Sequence, residues 1–104
     1  MLESQLRRKM EEQPKHILTL EEALVAIKKD NDLDGEVESL LSEIDSIIEI
    51  ATGIKWQEQE TIHPLAKAVA RLQLQIETGF VKNPMYTESL TSKMKQLQLL
   101  AIEE

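Results

Sequence analysis

The chain of 104 residues contains no cysteine. That excludes disulfides, thiolate metal sites and a cysteine nucleophile. Trp56, Phe80 and Tyr86 are its only aromatic residues. A core so poor in aromatics, yet holding fifteen Leu and ten Ile, suits packed helices better than a sheet. Three glycines leave no Gly-rich phosphate loop. No apolar run approaches the roughly 18–20 residues of a membrane span. The first residues lack the apolar stretch of a secretory signal, so the expected compartment is the cytoplasm or an assembly formed there. Basic residues number 12 against 19 acidic. That balance argues against sequence-specific DNA binding, which needs a basic surface against the phosphates.

What charge there is falls unevenly. Residues 30–60 carry ten acidic residues and one basic, a net of −9, while 61–95 carry five basic and two acidic, a net of +3. The two regions serve either as solvated helix faces or as complementary surfaces for head-to-tail association between copies.

At this length the chain is one domain. Leu2, Leu6 and Met10 form one stripe of a short helix over 2–12, which Pro14 ends. A helix this short is marginal alone, so the segment is either a frayed arm or one that orders on a partner. This sets residues 1–16 apart as an N-terminal arm and 17–104 as the helical domain. Thr19 with Glu22 matches a capping box and opens a short helix through Lys29. Val37, Leu40, Leu41, Ile44, Ile47, Ile48 and Ala51 then follow 3-4 spacing over Gly35–Thr52, with acids filling the other faces. Gly53 suits the helix exit. A polar loop over 55–62 contains Trp56. Pro64 begins a helix that Gly79 ends, Phe80–Tyr86 reads as a loop, and Thr87 caps a last helix with Leu90, Met94, Leu97 and Ala101 on its stripe. The expected fold is all-α: a small antiparallel bundle of four main helices with one long central helix, with a short N-terminal helix added where the arm is ordered.

Several patterns invite chemistry. Asp30–Gly35 fits the first half of a calcium loop, D-x-D-x-D-G. The bidentate glutamate at the twelfth position is Leu41, however, on the core stripe. Without it the loop loses two of roughly 6–8 oxygens. The residues favour a turn in which Asp32 or Asp34 caps the next helix. His16 and His63 have no partner at metal spacing, and His63 before Pro64 suits a helix cap. No serine sits in a nucleophile elbow. Neither an enzyme nor a cofactor or metal site is expected. Trp56, Phe80, Met85 and Tyr86 sit at helix ends and serve either as anchors at a protein interface or as caps on the core.

Leu18-Thr19-Leu20-Glu21-Glu22, the Asp-rich turn Asp30–Asp34, the helix Glu36–Ala51 and Thr52-Gly53 together resemble the head–tail connector proteins of long-tailed bacteriophages, also described as head-completion or DNA-packaging adaptors. The order of elements extends over about residues 17–100. The resemblance implies a structural subunit that binds the portal protein and assembles with itself into a ring, usually of twelve copies. Such a ring extends the DNA channel and offers a docking surface to a head-closure or tail protein. It implies a place at the head–tail junction of the virion, reached from the host cytoplasm, with DNA passing through unread and no membrane involved. Glu36, Glu38, Glu43 and Asp45 would then form an acidic channel or inter-subunit face. The alternative is a free-standing helical adaptor that binds another protein through an apolar groove.

Overall fold

The computed structural model describes residues 15–103. The helix expected over 2–12, and all of the N-terminal arm but Lys15 and His16, lie outside the described residues. Those described are all helical in their regular structure: α1 (Leu20–Ala26), α2 (Glu36–Thr52), a single 3-10 turn (Trp56–Glu58), α3 (Pro64–Glu77) and α4 (Pro84–Glu103).

Each helix begins where a side chain accepts its first N–H groups. Thr19 Oγ1 accepts from the Glu22 N–H at 3.1 Å, and Glu22 Oε1 accepts from the Thr19 N–H at 3.0 Å, completing the capping box of α1. Helix α1 stops three residues before Lys29. Lys28 takes a left-handed φ of 54°, and the Lys29 N–H reaches back to the Leu24 carbonyl at 2.9 Å, a Schellman end. A residue with a Cβ occupies the position where glycine is usual, so nothing in the sequence marked the stop.

Helix α2 follows Gly35 (φ 70°), and its cap comes from further back. Asp32 accepts from the N–H groups of Val37 and Glu38, both at 3.1 Å. Both oxygens that Asp32 would offer a calcium loop are thus turned to the helix, and Leu41, at the position of the bidentate ligand, is buried in the core. His63 Nδ1 accepts from the Leu65 N–H at 3.1 Å to start α3, with Pro64 at the first helical position.

The last helix departs from expectation. It starts at Pro84, three residues before Thr87. Asn83 Oδ1 accepts from the Met85 N–H at 2.9 Å, and Pro84 has no N–H to leave unpaired. Thr87 instead lies inside the helix, where its carbonyl accepts from the Thr91 hydroxyl. At 20 residues α4 is longer than the 17-residue α2, so the longest helix is the last.

The core collects Val37, Leu41, Ile44 and Ile48 from α2, Ala66, Val69, Ala70 and Leu74 from α3, and Ile17, Leu18, Ala23 and Ile27 from the first segment. Helix α2 packs against α1, α3 and α4, and the pairing of α3 with α4 is the most extensive. Two glutamines close helix ends across these contacts: Gln75 Nε2 donates to the Ala26 carbonyl and Gln98 Nε2 to the Ala51 carbonyl, each at 3.0 Å.

Candidate protein-binding surfaces

Trp56 is not a surface anchor. It is fully buried in the 3-10 turn that follows α2. Gly53 (φ 78°) turns the chain back onto the helix. The Trp56 indole N–H then donates to Thr52 Oγ1 at 2.9 Å, while the same hydroxyl donates to the Ile48 carbonyl at 2.7 Å. With its one polar group satisfied, the ring can leave water completely. His63 meets it edge to face at 6.4 Å.

Asp45 is not on the outer acidic face either. It follows Leu41 by four residues and precedes Ile48 by three, which puts it on the buried stripe. Burial of a carboxylate requires partners, and both come from 29 and 28 residues away. His16 Nδ1 donates to Asp45 Oδ2 at 2.6 Å, and the Ile17 N–H donates to Oδ1 at 3.0 Å. The pair pins the entering segment to the middle of α2. His16 Nε2 is itself buried without a partner among the described residues, as is Gln57 Oε1. Both residues stand beside an open polar cleft between the entering segment and the 57–62 loop. Neither orphaned atom reaches solvent.

The remaining acids are outward. Glu36, Glu38 and Glu43 are all exposed along α2, as are Asp30 and Asp34 in the preceding turn. None of these five makes an ion pair among the described residues. Between Asp32 and Asp34 stands Leu33, 89% exposed.

Met85 and Tyr86 lie in the first turn of α4, not in a loop, and both are exposed. They form one wall of a groove of about 450 Å³ between α3 and α4. Ala68 and Leu72 of α3 line the other side, and Arg71 and Lys93 supply cations. No acidic residue lines the groove among the described residues, and neither cation is ion-paired there. Phe80, exposed in the α3–α4 connection, does not line it. The structure thus brings Met85 and Tyr86 together, keeps Phe80 nearby in sequence but outside the groove, and removes Trp56 to the core.

A second apolar stretch lies at the far end of α4, where exposed Leu99 and Ile102 border a shallow groove with Ala51 and Thr52. Periodicity could have pointed to it, because these residues fall off the Leu90, Met94, Leu97 and Ala101 stripe. No helix among the described residues is long and apolar enough to cross a membrane. No family model, curated protein or solved structure matches the chain.

Proposed function

We propose that the chain is a structural subunit of a phage or prophage head–tail connector, a protein without a reaction or cofactor of its own. The observation that carries this reading is the order of elements. A threonine-capped short helix leads through an aspartate-capped turn to a 17-residue helix with a Thr52-Gly53 exit, followed by two more helices. That is the succession on which the resemblance rests. In this reading the four helices form an antiparallel bundle around α2, and one face of the subunit meets the portal protein. Copies close into a ring that extends the DNA channel and receives a head-closure or tail protein at the head–tail junction of the virion.

The surface supports assembly by unlike faces. Exposed carboxylates gather on α2 and its entry turn, and cations that make no ion pair among the described residues border the groove of α3 and α4. Two different faces per subunit make a heterologous contact, which can close into a ring. Acids facing a channel would keep DNA from adhering through like-charge repulsion. Glu36, Glu38 and Glu43 can serve there; Asp45, buried, cannot. Reversing the three exposed charges together should impair ring assembly or DNA retention, and a particle indifferent to the change would remove this role.

The deciding experiment is to mix the protein with the portal ring encoded beside it and image the product by electron microscopy. An added ring of density gives the connector function and the copy number. With both proteins folded, a bare portal ends the connector reading. The reading then left is a helical adaptor, favoured by the apolar groove of Ala68, Leu72, Met85 and Tyr86.

A further inference from the structure

The groove between α3 and α4 and the turn before α2 are opposites in shape and charge. The turn raises one leucine, Leu33, almost wholly into water between acidic neighbours. Asp32 is committed to the α2 backbone, and the exposed carboxylates of Asp30 and Asp34 on either side of Leu33 make no ion pair among the described residues. The groove offers an apolar recess walled by Leu72, Met85 and Tyr86, with Arg71 and Lys93 beside it. A single exposed leucine is ordinary on a protein surface, but an apolar recess bordered by cations is the complement in shape and charge of a leucine between carboxylates.

We propose that the chain associates head to tail through this pair: Leu33 of one copy enters the α3–α4 groove of the next, and Asp30 and Asp34 meet Arg71 and Lys93. The turn contributes no residue to the groove. Every subunit therefore presents one free knob and one free recess, the requirement for a heterologous contact that propagates until it closes. Burial of Leu33 supplies the apolar gain, and the flanking charges orient the approach and fix the register. The inference deepens the proposed ring by naming its contact, and it rests on that reading only in taking the partner to be a second copy.

The test is sedimentation equilibrium of the full chain at low and raised salt, with two surface variants. Leu33→Asp spoils the knob, and Met85→Asp places a carboxylate in the recess against Asp30 and Asp34. Both side chains are exposed, so circular dichroism and melting should be unchanged. The wild type should associate beyond dimers, more weakly as salt screens the charges. Each variant alone should lose at least about tenfold in affinity. Mixed together, the two should form one-to-one dimers and nothing larger, because one good knob and one good recess remain between them. A wild type that stays monomeric at about 1 mM, the range of the weakest specific contacts, overturns the inference. So does association that both variants share undiminished, or a mixture that forms no dimer. Portal imaging keeps the two ideas apart: rings of either single variant assembled on a portal would refute this contact and leave the connector reading standing.

Discussion

Helices α2 and α4 are close in length and opposite in use. Helix α2 buries Val37, Leu41, Ile44, Asp45 and Ile48, a continuous stripe, whereas α4, three residues longer, buries only Leu97 completely. Helix α2 is held by groups from outside itself at its start, middle and end: the Asp32 carboxylate on its first N–H groups, the His16 ring and the Ile17 backbone N–H on Asp45, the Gln98 amide on its last turn. Helix α4 makes no ion pair among the described residues and turns Met85, Tyr86, Leu99 and Ile102 outward. Apolar periodicity already separates them: it is strong along α2 and weak along α4. A helix with a narrow, broken apolar stripe has less to bury, and α4 leaves most of its length in water.

The largest expected effect tests that division. Trp56→Ala, which empties the space at the end of α2, should cost about 3–5 kcal/mol in denaturant unfolding, and Ile44→Ala about 2–5 kcal/mol. Leu99→Ala on α4 should stay within about 0.5 kcal/mol of the parent. Comparable losses at Leu99 and Ile44 would mean that α4 is as much a core helix as α2.

Asp45→Ala comes next. It leaves the His16 ring and the Ile17 N–H buried without their acceptor, at a cost of about 1–3 kcal/mol. Hydrogen exchange gives the sharper reading, because the Ile17 amide bonds to Asp45 in the folded chain. Its protection should fall by more than that of the α4 amides. An equal loss everywhere would show global destabilisation in place of a released segment.

What could be read in advance was what is local. The Thr19–Glu22 capping box, Pro64 at the start of α3, the glycine exit after Thr52 and an aspartate cap from Asp32 or Asp34 all act within six residues; the structure contains the first three and assigns the cap to Asp32. Asp45 was misplaced because the residues that make its burial tolerable lie at His16 and Ile17, and no pattern in α2 announces them. Trp56 stays open in sequence between interface anchor and core cap because its partner, Thr52 Oγ1, belongs to a helix whose exit geometry decides the contact. The start of α4 was legible: asparagine followed by proline is a helix-start signal as good as Thr87. Of the candidate surface, Met85 and Tyr86 were named, but Arg71, Leu72 and Lys93 complete the groove only when α3 and α4 pack.

The two helix starts allow a smaller comparison. Asp32 serves two N–H groups of α2 with an ionised carboxylate, and Asn83 serves one of α4 with a neutral amide. Asp32→Ala should cost about 1–2 kcal/mol, at the upper end of capping effects, and Asn83→Ala nearer 0.5–1 kcal/mol, measured as about the same contrast in midpoint shifts. The reverse order would mean that the groove wall formed by Met85 and Tyr86 depends on its cap more than α2 depends on its own.

The smallest effect concerns charge. Lys67 of α3 donates to both oxygens of Glu22 on α1, at 2.8 and 2.9 Å, and this bond holds the Glu22 carboxyl below its ordinary value of 4.5. A carboxylate depressed on folding adds stability above its unfolded value and loses it as pH falls through that value towards the folded one. The clasp should therefore act fully at neutral pH and fade in acid below 4.5. Both side chains are partly in solvent, which limits its worth to at most about 1 kcal/mol. Lys67→Met should be less stable than the parent at pH 7, with the two unfolding curves converging in acid. Lys93→Met on α4, whose ammonium has no carboxylate partner among the described residues, should run parallel to the parent throughout. A Lys93 variant that converges with the parent as the Lys67 variant does would place a working ion pair on α4, and the division between a braced α2 side and an unbraced α4 would have to be redrawn.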